Sequence, residues 1–323
     1  MRAVVLRTLG EPPEVAEHSD PVAGPGRSVV RVTAAPITPV DLLCASGTAS
    51  FGRPEVPYVP GVQGVGVVED SGALPAGTRV WFVTSAGMAA GDGSLAERCA
   101  VADDDLVPVS VALPDAALGA LGHSAVAAWM ALTWRGGLQP GEHVLVLGAG
   151  GVVGQVAVGA ARLLGAGRVV AVARSQVARE RALAAGADAV VDPSAGTDEL
   201  AARVAAATGG RLDLVVDPVF GRMATAASRV LSPGGRLVNL GGASGDAAEF
   251  SSAVLRSRSA AVLGYTNSAL TREQRRDALT TVAGHAAAGR LPVASEPVRL
   301  ADAPEAWRRQ ATGDLGVRLV VTP

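Results

Sequence analysis

Lysine is missing from this chain: all 28 basic residues are arginine. A Schiff-base lysine, a P-loop lysine and a Tyr-x-x-x-Lys catalytic pair are therefore excluded. Abundant Ala, Gly, Val and Arg trace the absence to codon usage in a GC-rich genome rather than to chemistry. Cysteine occurs only as Cys44 and Cys99. Two thiols cannot build a four-cysteine zinc site, and a disulfide is not expected in a reducing compartment. No block of basic residues exists and the formal net charge is −2, so nucleic acid is not an expected partner. No uninterrupted apolar run reaches the ~18 residues of a membrane span. The start, Met1-Arg-Ala-Val-Val-Leu6, reads as a first strand rather than a cleavable leader. A cytoplasmic protein with no membrane partner is the expectation.

What is present is informative between His143 and Arg174. The stretch reads His143-Val-Leu-Val-Leu-Gly148-Ala-Gly150-Gly151-Val152-Val153-Gly154, then an apolar segment, then Arg168-Val-Val-Ala-Val-Ala173-Arg174. This is strand, glycine turn, helix and strand within the ~30 residues of a βαβ unit. Such a unit sets a helix N-terminus under a pyrophosphate, where free N–H groups and the helix dipole favour an anion. Gly148, Gly150 and Gly151 make the turn and admit the phosphate, Val152 and Val153 open the helix, and Gly154 lets helix and strand pack closely.

The end of the second strand selects the cofactor. NAD sites place Asp or Glu there for the ribose 2′-OH. Here Ala173 is followed by Arg174 and Ser175, with Arg179 a helical turn on. A guanidinium grips a 2′-phosphate through charge-assisted hydrogen bonds, which favours NADPH over NADH. The alternative is a pair of solvated arginines at a helix start.

The chain has 323 residues, 49% of them hydrophobic, enough for two domains. Residues 1–124 carry short β-like runs broken by Gly and Pro, such as Ser28–Thr33, Gly64–Glu69 and Thr78–Val83. From 125 to 264 strands alternate with helices: Ala189–Asp192, Leu212–Asp217, Gly235–Gly241 and Ser259–Gly264 follow the opening βαβ. Six such strands predict an α/β fold with a Rossmann doubly wound parallel six-stranded sheet. Residues 265–323 hold a long helix (Thr271–Gly289), a short strand near Glu296, a helix near Pro304 and a last strand, Val317–Val321.

Several segments occur in a recognisable order: Pro39-Val-Asp41 with Ser46-Gly47, Val59-Pro-Gly61 leading into Gly64-Val-Gly66, Leu138-Gln-Pro-Gly141-Glu, the glycine turn, Ala185-Gly-Ala-Asp188, Pro233-Gly-Gly-Arg236 and Asn239-Leu-Gly-Gly242. Together they resemble the medium-chain dehydrogenase/reductase superfamily, within it the zinc-free quinone oxidoreductase branch. The resemblance implies a GroES-like β-rich domain over 1–124, completed by the tail 265–323, and an NADPH-binding domain over 125–264, with the active site in the cleft between them. It implies a homodimer paired through Ser259–Gly264. It sets Pro218, Gly241, Gly242 and Ala243 along the nicotinamide ribose, Tyr265 near the nicotinamide or the substrate, and Arg318 within reach of the cofactor phosphates.

Zinc is not expected, because Gly61-Val62-Gln63 stands where the zinc enzymes carry Gly-His-Glu. Without a Lewis acid a simple carbonyl is hard to polarise. A conjugated C=C, which spreads the incoming charge, suits hydrogen bonds alone. Other family positions differ too: Thr38, a candidate catalytic residue together with His123 and Tyr265, replaces an Asn, Ala127 a threonine, Ala49 a tyrosine of some enoyl reductases, and Val152 a glycine. His123, in Leu121-Gly-His-Ser-Ala125, falls where the resemblance places the cleft floor. It is expected to protonate the product of hydride arrival, its pKa suiting neutral pH, or to hydrogen-bond a substrate oxygen. A helix-start histidine satisfied by backbone is the alternative. Asp41 reads as a buried carboxylate bonded to backbone, with a pocket acid as the alternative. The expected activity is zinc-independent, NADPH-dependent hydride delivery to a small-molecule enone, quinone or other conjugated C=C. A reductive cyclase of natural-product biosynthesis and a non-catalytic NADPH-binding protein are the alternatives.

Overall fold

The valine-rich runs of the first third become strands because β-branched side chains suit a pleated, half-buried surface. They are β1 (Arg2–Val5), β2 (Glu14–Glu17), β3 (Arg27–Pro36), β4 (Gln63–Asp70), β5 (Arg79–Val83), β6 (Arg98–Ala102) and β7 (Leu106–Pro108), with the short helix α1 (Pro39–Ser46) after β3. In this computed structural model every residue is described except Ser50, Phe51 and Asp314. The chain divides into two units: Met1–Gly122 with Val293–Pro323, and His123–Pro292.

Helix α2 (Asp115–Met130) is interrupted at Gly122, whose φ of 26° and ψ of −124° are not helical. A Cβ at Gly122 would lie 2.0 Å from Gln63 Oε1, so only glycine fits. The helix therefore restarts at His123. Its Asp115–Arg135 stretch is long and apolar enough to span a bilayer by length and composition, but 67% of its most apolar window is buried, as in a core helix.

The second unit alternates strand and helix: β8 (His143–Val146), α3 (Val152–Leu163), β9 (Arg168–Val172), α4 (Gln176–Ala184), β10 (Ala189–Val191), α5 (Thr197–Thr208), β11 (Leu214–Asp217), α6 (Gly221–Ser228), β12 (Arg236–Asn239), α7 (Ser252–Arg258), β13 (Ala261–Gly264) and α8 (Arg272–Ala287). Its six strands run parallel in the order β10-β9-β8-β11-β12-β13. The order reverses direction beside β8, where α/β sheets bind ligands at the strands' carboxyl ends. Leu145, Val170, Val215 and Leu237 form its core. Helix α7 has no counterpart among the sequence-predicted elements.

The chain re-enters the first unit through β14 (Ser295–Arg299), α9 (Ala303–Ala311) and β15 (Arg318–Thr322). There a seven-stranded sheet runs β14-β15-β3-β4-β5-β7, with β6 paired to β3. Ile37, Phe82, Leu95 and Leu319 lie in its core. The tail was expected to leave the nucleotide domain at residue 265, and it leaves at Val293 instead. The extra segment is anchored at both ends. Asn267 Nδ2 donates to the His123 carbonyl at 3.0 Å, and Leu291 packs where a Cβ on Gly159 of α3 would meet it at 2.8 Å.

Candidate functional site

The glycine turn has the geometry its spacing predicts. Gly148 leaves β8 with φ 63°, a conformation that favours glycine. A Cβ there would lie 2.5 Å from Val219 Cγ1. Gly151 is the N-cap of α3 and no side chain caps it, so the first-turn N–H groups of Val152, Val153 and Gly154 keep their donor capacity for an anion. Gly154 packs so tightly that its Cβ would sit 2.5 Å from Ala149 Cα and from the Gly148 carbonyl. A Cβ on Gly150 would meet Ala178 at 3.1 Å. This cradle of bare backbone fits a dinucleotide pyrophosphate.

Beyond the ends of β9, β10 and β11 lies a pocket of about 430 Å³, lined by Arg174, Asp192, Ser194, Arg222, Met223 and Ser244 among others. Arg174 is exposed and lines this pocket. Ser175 instead caps α4, accepting from the Ala178 N–H at 3.2 Å. Arg179 departs from its expected role as a phosphate ligand. Its Nη1 donates to the carbonyls of Ala173 (3.1 Å) and Arg174 (2.7 Å) and to Asp192 Oδ2 (2.9 Å), because this nearby carboxylate and the two strand-end carbonyls claim the guanidinium. Arg222 was missed. Its Nη2 donates to the Pro193 carbonyl at 2.7 Å and its Nη1 to that of Ala195. Its position directly behind the Asp217-Pro-Val-Phe-Gly221 loop was the available signal.

That loop is strained and tightly held. Phe220 has φ 56° and Gly221 φ 61°, the former costly for a side chain with a Cβ. Asp217, fully buried, accepts from the N–H groups of Val219 (3.0 Å) and Phe220 (2.7 Å) through Oδ1. Its Oδ2 has no partner among the described residues. Burial pushes its pKa up to about 6 against those hydrogen bonds. Pro218 and Gly241 meet: a Cβ on Gly241 would lie 2.7 Å from the Pro218 carbonyl. Ser244 N–H donates to the Val219 carbonyl at 2.7 Å, which ties the exposed Gly242-Ala243 turn to the same loop.

Tyr265 and His123 come together through a residue that sequence reading passed over. Tyr265 Oη donates to Asn267 Oδ1 at 2.6 Å, and Asn267 Nδ2 donates to the His123 carbonyl. Trp134 stands edge-on to the Tyr265 ring, with centroids 6.2 Å apart. Burial raises the Tyr265 pKa. The only hint of Asn267 was an amide two residues beyond Tyr265. His123 does not have the expected near-neutral pKa. Burial first, and the Arg275 charge second, push it down to about 4. At pH 7 the imidazole is neutral, so it offers a hydrogen bond rather than an imidazolium proton.

In the first unit, Thr38 is not an open catalytic hydroxyl. It is the N-cap of α1 in a reciprocal capping box with Asp41. Thr38 Oγ1 donates to Asp41 Oδ2 at 2.6 Å. Asp41 Oδ1 accepts from the N–H groups of Gly61 (3.0 Å) and Val62 (2.9 Å). Asp41 is the backbone-bonded carboxylate the sequence suggested. Burial raises its pKa, while those bonds and the Arg318 charge oppose the rise.

Arg318 is 5% exposed and donates to the Ile37 carbonyl at 2.7 Å. It is therefore part of this unit's interior, not a reaching phosphate ligand. Burial lowers its pKa to about 10, and Asp41 acts against that shift. Gln63 Oε1 accepts from Trp81 Nε1 at 2.9 Å. Burial, then Asp41, raises the Cys44 thiol to about 11, leaving it protonated. Among the described residues no group of three or more His, Cys, Asp and Glu is placed to hold a metal.

Comparison with known proteins agrees with this architecture. The family described as alcohol dehydrogenase GroES-like domain matches residues 24–114, and that described as zinc-binding dehydrogenase matches 152–284. An alcohol dehydrogenase of Geobacillus stearothermophilus is 32% identical over 219 residues, 60% of this chain and 64% of that protein. A quinone oxidoreductase of Mus musculus is 32% identical over 197 residues, 59% of this chain and 57% of that one. The chain thus matches less than two thirds of the length of these curated relatives. Among solved structures, the quinone oxidoreductase from Thermus thermophilus, described with its NADPH complex, is 32% identical with a TM-score of 0.78, and all of each chain is covered.

Proposed function

Because the chain belongs to the medium-chain dehydrogenase/reductase superfamily and is quinone oxidoreductase-like, we propose that it is an NADPH-dependent oxidoreductase acting on a quinone or an enone C=C without a bound metal. The observation that carries this reading is the pocket at the ends of β9–β11, walled by Arg174 and Arg222. NADPH, when bound, supplies a hydride. The N–H groups of Val152, Val153 and Gly154 would hold its pyrophosphate and Arg174 its 2′-phosphate. Gly241, Gly242 and Ala243 beside Pro218 would let the ribose approach bare backbone.

The residues present support metal independence. Val62 and Gln63 stand in place of His and Glu, Gln63 is bonded to Trp81, and Cys44 keeps its proton. A neutral imidazole at His123 can donate a hydrogen bond to an oxygen that gains charge, and conjugation carries the charge to such an oxygen. Edge strand β13 would pair the two subunits of the expected homodimer.

The test is Arg174→Ala. NADPH binding should weaken by ~1–3 kcal/mol while NADH binding stays nearly constant, measured by fluorescence titration. Equal losses for the two coenzymes would contradict the assignment.

A further inference from the structure

A carboxylate lines the pocket assigned above to the 2′-phosphate. Asp192 stands in its wall with Arg174 and Arg222, and an unscreened carboxylate beside a phosphate is repulsive. Both of its oxygens are engaged. Oδ1 accepts from the Ser194 N–H at 2.9 Å and Oδ2 from Arg179 Nη1 at 2.9 Å. The same Nη1 holds the carbonyls of Ala173 and Arg174. One half-buried guanidinium thus cancels the pocket's negative charge and ties the exit of β9, which carries Arg174, to the exit of β10. Arg222 fastens the loop beyond β10 from its other side, through the carbonyls of Pro193 and Ala195.

We propose that Arg179 is a positioning and specificity residue: by neutralising Asp192 and fixing the Arg174 backbone, it makes the pocket selective for a 2′-phosphorylated adenine nucleotide over its unphosphorylated counterpart. This rests on the NADPH reading above. Arg179 need not touch the nucleotide. Without it, Asp192 becomes an uncompensated carboxylate at the pocket, which disfavours a phosphate and tolerates a ribose 2′-OH.

The experiment is calorimetric titration of the full chain with 2′,5′-ADP and with 5′-AMP at low salt, where exposed charges are least screened. Arg179→Met should weaken 2′,5′-ADP binding by about tenfold or more and change 5′-AMP binding by less than about threefold. Adding Asp192→Asn to Arg179→Met should recover most of the lost affinity, and Arg179→Lys should stay near wild type. A purely architectural Arg179 would not be rescued by removing its partner's charge, so failure of that rescue overturns the proposal. So does an Arg179→Met protein that keeps the wild-type preference. If Arg179→Met does not fold, Asp192→Asn alone decides: 2′,5′-ADP binding should hold or tighten, and selective loss of it overturns the proposal. A wild type that binds 5′-AMP as tightly as 2′,5′-ADP would sink the NADPH reading itself, and this inference with it.

Discussion

Arg174 and Arg318 were both expected to meet phosphate, and their surroundings separate them. Arg318 is enclosed in the first unit, bonded to the Ile37 carbonyl beside the Thr38–Asp41 capping box. Arg174 stands exposed at the mouth of a pocket at the ends of parallel strands. The first cluster uses its polar atoms on its own backbone and so stabilises the fold. The second presents charge and bare backbone outward and so suits a ligand. The same side chain serves architecture or recognition according to whether its surroundings enclose it or leave it at the mouth of a pocket.

The contrast can be broken from the closed side first. Asp41→Ala would orphan the N–H groups of Thr38, Gly61 and Val62 and leave the Arg318 charge uncompensated. Urea denaturation should show a loss of about 3–5 kcal/mol, and a loss below about 1 kcal/mol would show that the cluster is not architectural. On the open side, Gly154→Ala forces a Cβ against Ala149 Cα. It should cost about 1–3 kcal/mol of stability and weaken NADPH binding, because the anion cradle must shift. Unchanged binding would remove the glycine turn from the site.

A further expectation concerns pH. His123 binds its proton more weakly in the folded chain, with a pKa of about 4 against an ordinary 6.5. Its contribution to stability is therefore complete above pH 6.5 and lost as pH falls toward 4. Asp217, raised from 3.8 to about 6, has the opposite sign. Its contribution is complete below pH 3.8 and is lost as pH rises through 6. Melting curves of His123→Gln should lose the acid-side decline that His123 causes, whereas Asp217→Asn should lose the decline between pH 4 and 6. An unchanged pH profile in either variant would refute the corresponding shift.

How far the sequence could be read depends on whether a contact is local. The βαβ unit and its glycine turn were legible, because strand period, turn chemistry and helix start lie within one continuous stretch. Arg179 was misread because its partner Asp192 comes from a different strand end. Arg318 was misread because its acceptor, Ile37, lies at the far end of the chain. Thr38 and Asp41 spell a helix cap within four residues, so the role of the Thr38 hydroxyl is local and legible without any reference to chemistry. The His123 pKa was not legible, because burial is set by the folded surroundings and not by neighbours in sequence.

The most direct test of the central claim is single-turnover oxidation of NADPH by the purified wild-type chain against a panel of quinones and enones, with elemental analysis of the same sample. The account predicts coenzyme oxidation coupled to reduction of at least one acceptor, in protein without stoichiometric zinc and unaffected by chelator. Oxidation that vanishes on chelation and returns with zinc, or no oxidation with any acceptor despite tight NADPH binding, would contradict it.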